Sequence, residues 1–206
     1  MESRTPKIFD WINRIYRIGI SHPVILSETL LTWFYLKQTI PLMFKLKVKE
    51  LRFFTPDIFE ISLERGGYQF VPGQCAVLFA ADDDSRPYSI SSGAEEPVLR
   101  FLLRRFSGGA LSNWLADRKS GDTVRVSLPF GEFRTAEAKG AVVFIATGVG
   151  ISPFLSALRS RCFEPEKVLC LYGVRTLEDA VPVPTLRNRV ALHLAVSREE
   201  AEGHFH

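Results

Sequence analysis

Apolar and polar positions form short runs along most of this chain, and the period of the runs changes along its length. From residue 46 to 135 the runs are strand-like. Ile58-Phe59-Glu60-Ile61-Ser62-Leu63 alternates in part, Cys75 to Ala80 is continuously apolar, and Thr123 to Leu128 sets valines against Arg125 and Ser127. Ser89 to Ser91 and Val98 to Phe106 read as two more strands, with Gly66-Gly67 and Pro72-Gly73 as turn signals between the runs. Short strands with this punctuation predict an antiparallel barrel, interrupted by one helix from about Ala110 to Asp117.

At Gly140 the pattern changes. Ala141 to Ala146 reads as a buried strand, followed by Gly148-Val149-Gly150 and a helix over Pro153 to Ser160. Lys167 to Tyr172 and Val190 to Val196 are the next strands. Strand, helix, strand, strand predicts a parallel α/β sheet. Pro182 and Pro184 argue against a long crossover helix before the last strand. Gly140 to Leu158 carries no charge over a length close to a membrane span, yet its glycines and Pro153 favour strand, loop and helix.

Residues 1–45 form a leader. Within residues 28–44, Leu30 and Phe34, Leu36 and Ile40, and Trp33 and Leu36 fall at helical spacing, and Pro41 should end or kink the helix. Such a helix either packs on the neighbouring domain, lies on a membrane surface or meets a partner. The predicted fold is therefore α+β. A leader (1–45) precedes a barrel domain (46–136) and an incomplete parallel α/β domain (137–206).

Composition narrows the classes. The 206 residues are 46% hydrophobic and 24% charged, which excludes a disordered chain, a collagen-like chain and a disulfide-dense miniprotein, and the 12 prolines and 14 glycines argue for many turns rather than a helical bundle. A net charge of +3 is too small to imply a nucleic-acid partner. Cys75, Cys162 and Cys170 lack metal-ligand or paired spacing, and Cys162 and Cys170 read as buried free thiols of a reducing compartment. No secretory signal is visible in residues 1–17, and the expected location is cytoplasmic, with peripheral membrane contact as the alternative.

Three segments carry chemistry. Thr147-Gly148-Val149-Gly150-Ile151-Ser152-Pro153 joins a strand to a helix, where glycines and free helix N–H groups suit a pyrophosphate. The third glycine of the usual dinucleotide fingerprint is absent, and a plain structural turn reads equally well. In Arg86-Pro87-Tyr88-Ser89-Ile90-Ser91-Ser92, Arg86 can clamp a phosphate, Tyr88 offers a flat face and Ser89 a hydroxyl. Gly108-Gly109-Ala110-Leu111-Ser112 runs into a helix and could hold a second anion. On composition alone, the second is a polar strand start and the third a helix entry.

The order of the three is more informative than any one of them. An Arg-x-Tyr-Ser strand, a Gly-Gly-x-x-Ser helix and a Gly-x-Gly strand–helix unit resemble the ferredoxin–NADP reductase superfamily. Val71-Pro72-Gly73-Gln74, Gly121-Asp122-Thr123-Val124, Pro129-Phe130-Gly131-Glu132-Phe133, Leu171-Tyr172-Gly173-Val174-Arg175 and Ala195-Val196-Ser197-Arg198-Glu199 extend the likeness over about residues 46–206. The resemblance implies FAD, in preference to FMN, bound through Arg86, Tyr88, Ser89, Gly108, Gly109 and Ser112. Tyr88 would stack on the flavin and Ser89 would lie near its reactive edge, the two positions read as catalytic. It implies NADPH or NADH at Thr147, Gly148 and Gly150. Ser197 and Arg198, helped by Arg175, match the positions that take a 2′-phosphate, which favours NADPH. Electrons would pass to a separate ferredoxin, flavodoxin or oxygenase component, since no iron–sulfur cysteine cluster is seen. No metal site is expected, His204 and His206 included.

The likeness also implies more chain after Ser197-Arg198-Glu199-Glu200. Further strands, a Cys-Gly motif and a C-terminal region over the flavin are missing before His206. The expectation is a truncated reductase. The alternative is a flavin-binding module with little activity alone, completed by a partner chain.

Overall fold

The computed structural model describes residues 43–81, 84–133, 140–187 and 189–199. Six strands come first: β1 (Met43–Phe53), β2 (Ile58–Glu64), β3 (Cys75–Phe79), β4 (Ser85–Ser89), β5 (Val98–Arg104) and, after helix α1 (Ala110–Ala116), β6 (Thr123–Ser127). They form one antiparallel sheet in the order β4-β3-β6-β1-β2-β5. The edges approach each other just beyond β4, where Ser91 N–H donates to the Arg100 carbonyl at 2.9 Å. The sheet is thus a nearly closed barrel.

Its interior is filled by alternate residues, as the pleat demands. Leu46 and Val48 of β1, Phe59, Ile61 and Leu63 of β2, and Leu99, Phe101 and Leu103 of β5 share one core with Leu111 and Leu115 of α1. Tyr68 is buried in the same core and donates its hydroxyl to the Ser127 carbonyl at 2.9 Å.

The incomplete alternation in β2 has a structural cause. Ile58, Glu60 and Ser62 point away from the barrel interior yet are also buried. Their cross-strand partners are Arg104, Leu102 and Arg100. This outer face of β2 and β5 is covered by the second half of the chain.

That half contains β7 (Val142–Thr147), a 3-10 turn (Gly148–Ile151), α2 (Ser152–Arg159), β8 (Val168–Val174), the short helix α3 (Val183–Arg187) and β9 (Ala191–Val196). The sheet is parallel, ordered β7-β8-β9. One face packs Phe144, Ala146, Cys170, Tyr172 and Leu194 against Leu155 and Leu158 of α2, together with Ile58 and Leu102 of the barrel. Phe144 stacks on Phe154 with ring centroids 4.3 Å apart. The opposite face leaves Val143 55% and Ile145 71% exposed. Barrel and sheet belong to one compact unit.

Several expectations shift. The strand predicted over Ser89–Ser91 lies earlier, at Ser85–Ser89, and runs through Pro87. β4 is an edge of the six-stranded order, so the missing proline N–H removes no ladder bond. Met43 and Phe44, expected at the end of a helix, open β1 and pair with Ser127 and Val126. The rest of that helix (residues 28–42) lies outside the described residues, as do His204 and His206. Cys162 is half-buried rather than buried, because it follows the C-terminal end of α2; Cys170 in β8 is fully buried. Among the described residues no helix is long and apolar enough to cross a membrane.

Candidate functional site

The expected site residues fall into two groups on two substructures. The first sits on the barrel. β4 carries Arg86, Tyr88 and Ser89 opposite Leu78, Ala76 and Cys75 of β3. Arg86 and Tyr88, two residues apart, share a face of the strand. Arg86 is exposed and donates from Nη1 to the neighbouring Ser85 carbonyl at 2.7 Å, a bond that occupies one of its five guanidinium donors. Tyr88 is half-buried against the barrel core, and burial raises its phenol above the ordinary range despite the opposing pull of Arg86. It is therefore a neutral ring with a hydroxyl donor at physiological pH. The Ser89 hydroxyl lies 3.5 Å from the Cys75 thiol.

Cys75 is held by a two-way bridge, its N–H donating to the Phe130 carbonyl at 2.8 Å and its carbonyl accepting from Phe130 N–H at 2.9 Å. That bridge anchors the Pro129–Phe133 segment. Its Phe133 carbonyl presses on Gly73 so closely that a Cβ there would sit 1.9 Å from the oxygen. Gly73 also has φ +102°, so the Pro72-Gly73 turn is glycine for backbone reasons.

Gly108 and Gly109 lead into α1. Gly108 has φ +80° with open space before it. Gly109 is the residue preceding the helix; its N–H donates to the Phe106 carbonyl at 2.9 Å, and a Cβ would lie 2.7 Å from the Ser112 hydroxyl. Ser112 is buried beneath the turn. The α1 residues Leu111 and Trp114 pack on the same core as Tyr88.

The second group gathers at the carboxyl ends of the parallel strands, the edge where open α/β sheets bind ligands. Thr147 ends β7, and the 3-10 turn Gly148–Ile151 follows. Two of its carbonyls are tied by side-chain hydroxyls. The buried Tyr172 hydroxyl donates to the Gly148 carbonyl at 3.0 Å, and the Ser152 hydroxyl donates to the Val149 carbonyl at 2.6 Å. Burial, assisted by Asp179, raises the Tyr172 phenol well above its ordinary value, so it remains a donor. In front of Gly148 and Gly150 the space is open: a Cβ would meet nothing within 4 Å at either. At Gly150 neither a left-handed φ nor packing requires glycine.

Arg175 and Arg198 meet at the ends of β8 and β9. Arg198 N–H donates to the Arg175 carbonyl at 2.9 Å, and Ser197 N–H donates to the Val174 carbonyl at 3.1 Å. All three side chains are exposed, which sets two guanidinium groups and a hydroxyl on one edge. Beside them, Glu199 accepts from Leu177 N–H.

Sequence reasoning passed over Tyr172, Ser152 and Cys75 as site residues. A tyrosine inside an apolar strand was the available signal, since a buried phenol needs a partner. Nothing in the sequence marks Cys75 as the neighbour of Ser89, because strand register decides it.

Comparison with known proteins agrees with this architecture. Residues 44–135 match the family described as the oxidoreductase FAD-binding domain. The anthranilate 1,2-dioxygenase electron transfer component of Acinetobacter baylyi is 38% identical over 115 residues, covering 53% of this chain and 34% of that protein. The propane 2-monooxygenase reductase component of Rhodococcus jostii is 32% identical over 142 residues, covering 65% of this chain and 38% of that protein. The chain thus spans little more than a third of these two relatives' length. A ferredoxin NADP+ reductase from Neisseria gonorrhoeae with bound FAD and NADP superposes with TM-score 0.71 at 20% identity, over 81% of this chain and 73% of that one. A cytochrome P450 reductase from Amycolatopsis gives TM-score 0.69 at 25% identity, over 79% of this chain and 55% of that one.

Proposed function

We propose, from a barrel of the oxidoreductase FAD-binding family and a fold of the ferredoxin–NADP reductase superfamily, that this chain is the flavin-reducing part of an FAD-dependent NAD(P)H oxidoreductase. The observation that carries the reading is the family match over residues 44–135, the segment that holds Arg86, Tyr88, Ser89 and the Gly108–Ser112 turn.

The residues present fit the two cofactors. Arg86 has donors to spare for phosphate, Tyr88 offers a half-buried flat face, and Gly108 stands before open space. The empty space at Gly148 and Gly150 admits a phosphate close to the backbone. Arg175 and Arg198 offer two cations, with Ser197 a hydroxyl, where a 2′-phosphate would add charge. We assign NADPH to this edge on that basis.

When bound, the flavin would supply the redox chemistry, as the acceptor of a hydride (two electrons and one proton) from a nicotinamide that would be oxidised. Tyr88 would hold the ring, with Ser89 at the end of β4 and Cys75 at the start of β3 providing the neighbouring polar groups. Tyr172 and Ser152 hold the Gly148 and Val149 carbonyls, which would fix the backbone of the turn for a ligand. Electrons would then leave for a separate carrier, a ferredoxin, a flavodoxin or an oxygenase component; the two relatives above are described as an electron transfer component and a reductase component of oxygenases. The division into a barrel over 46–136 and a nucleotide-binding part over 137–206 belongs to this proposal.

Purified protein supplied with FAD should be yellow and should bleach anaerobically on NADPH addition, faster than with NADH. Arg198→Ala should narrow that preference. No flavin uptake would end the proposal, and an unchanged preference would remove Arg198 from the site.

A further inference from the structure

Between barrel and sheet lies a ring of alternating charges. Glu60 of β2, with 8% of its side chain exposed, places Oε1 3.0 Å from Arg100 Nη1 of β5 and Oε2 3.4 Å from Arg159 Nη1 of α2. Glu96 closes the ring, its Oε2 3.0 Å from Arg100 Nε and its Oε1 3.9 Å from Arg159 Nε. Two carboxylates and two guanidinium groups balance, which is the condition for keeping charges in a partly buried seam.

Arg159 does more than pair. Its Nη1 donates to the Ser91 carbonyl at 2.8 Å, two residues beyond Ser89. The following chain is fastened beside it: the Ala94 N–H donates to the Ser160 hydroxyl at 2.8 Å, and a Cβ on Gly93 would lie 3.1 Å from the Arg159 backbone. The buried hydroxyls of Ser91 and Ser156 have no hydrogen-bond partner among the described residues. The Arg159 side chain on the Ser91 carbonyl and the Ala94–Ser160 bond, rather than these two hydroxyls, join the elements.

The geometry gives this seam a consequence. α2 is a strut of eight residues, about 12 Å long. One end continues from the Gly148–Ile151 turn, and the other is bolted by Arg159 to the segment that continues from Arg86-Pro87-Tyr88-Ser89. We infer that Arg159, with Glu60, Glu96 and Arg100, is a positioning residue that sets the distance between the nucleotide turn and the flavin-binding strand. This rests on the proposed function, in which a hydride passes from a nicotinamide held at one end to a flavin held at the other. A displacement of about 1 Å can cost on the order of 100-fold in rate while binding survives.

The test uses the flavin-loaded full chain. Arg159→Ala leaves Glu60 paired with Arg100, so no carboxylate is orphaned. The expected result is unchanged flavin absorbance and content, an unchanged NADP+ dissociation constant, a 10- to 100-fold slower anaerobic reduction by NADPH in single turnover, and a weaker long-wavelength charge-transfer band. Arg159→Lys keeps the cation but cannot reach Ser91 and both carboxylates together, and should recover part of the rate. Glu60→Gln should slow reduction in the same direction. If Arg159→Ala reduces its flavin at the wild-type rate with an undiminished band, the inference is overturned. Loss of flavin in step with rate in both Arg159 variants would also overturn it, since Arg159 would then be supporting the barrel. A wild-type protein that binds FAD but is bleached by neither nucleotide defeats the functional proposal, and this inference with it.

Discussion

Gly150→Ala separates a glycine kept for a ligand from one kept for the fold. The added methyl group enters space in which nothing lies within 4 Å, and Gly150 has no left-handed backbone conformation to strain. The folded protein should therefore gain slightly, because alanine restricts the unfolded chain. That effect is about 0.4–1 kcal/mol, or roughly 1–4 °C in Tm for a domain of this size. A phosphate seated against the turn would meet the methyl group directly. Overpacking of that kind costs about 1–3 kcal/mol, or roughly 5- to 150-fold in dissociation constant. Two measurements suffice: thermal unfolding of the nucleotide-free flavoprotein by circular dichroism, and NADP+ titration by difference absorbance. A higher or equal Tm with weakened NADP+ binding supports the assignment. A lower Tm would mean that the glycine serves the fold, and an unchanged dissociation constant would remove the turn from the nucleotide site.

Gly73→Ala is the contrasting case: with its Cβ 1.9 Å from the Phe133 carbonyl and φ +102°, it should lose several kcal/mol, about 3 or more, and soluble yield should collapse; a normal Tm would refute the packing account. Tyr172→Phe keeps the ring but leaves the Gly148 carbonyl without its 3.0 Å donor, and should lower Tm by about 2–4 °C, from roughly 1 kcal/mol. Burial pushes the Cys170 thiol up to about 11, so Ellman's reagent at pH 8 should count at most two cysteines in the folded protein and three after denaturation. For the same reason the unfolded chain gives up that proton before the folded one does. Stability should hold up to about pH 9 and fall as pH climbs towards 11, and a flat Tm over that interval would contradict the burial of Cys170 and Tyr172.

The barrel was legible where one face of a strand meets the core and the other meets water, as at Thr123–Ser127, where Val124 and Val126 alternate with Arg125 and Ser127. It was less legible in β2, whose outward row of Ile58, Glu60 and Ser62 is also buried. β1 was missed as a strand, although Leu46 and Val48 alternate with Lys45, Lys47 and Lys49; its first residues were assigned to the preceding helix, and the leader boundary was set at residue 45, inside it. β4 begins earlier than the strand read over Ser89–Ser91 and contains Pro87, which an edge strand tolerates; edge position is a property of the whole sheet. The turns of the site were readable because glycines advertise themselves. The Glu60–Arg159 pairing was not, since the two residues are 99 positions apart and each has the look of an ordinary surface charge. Local pattern records the face a residue presents; which distant element covers that face is decided only by assembly.

The double burial of β2 also limits how freely the barrel can be exchanged. A strand with water on its outer side could be spliced onto any nucleotide-binding half. Here the outer row carries Ile58 and Glu60, opposite Arg104 and Leu102 of β5, and Arg104 pairs with Asp179 beyond β8. Exchanging only the second half would remove Arg159 and Asp179 together, leaving Arg104 without its carboxylate and Ile58 and Leu102 without the apolar side chains that cover them.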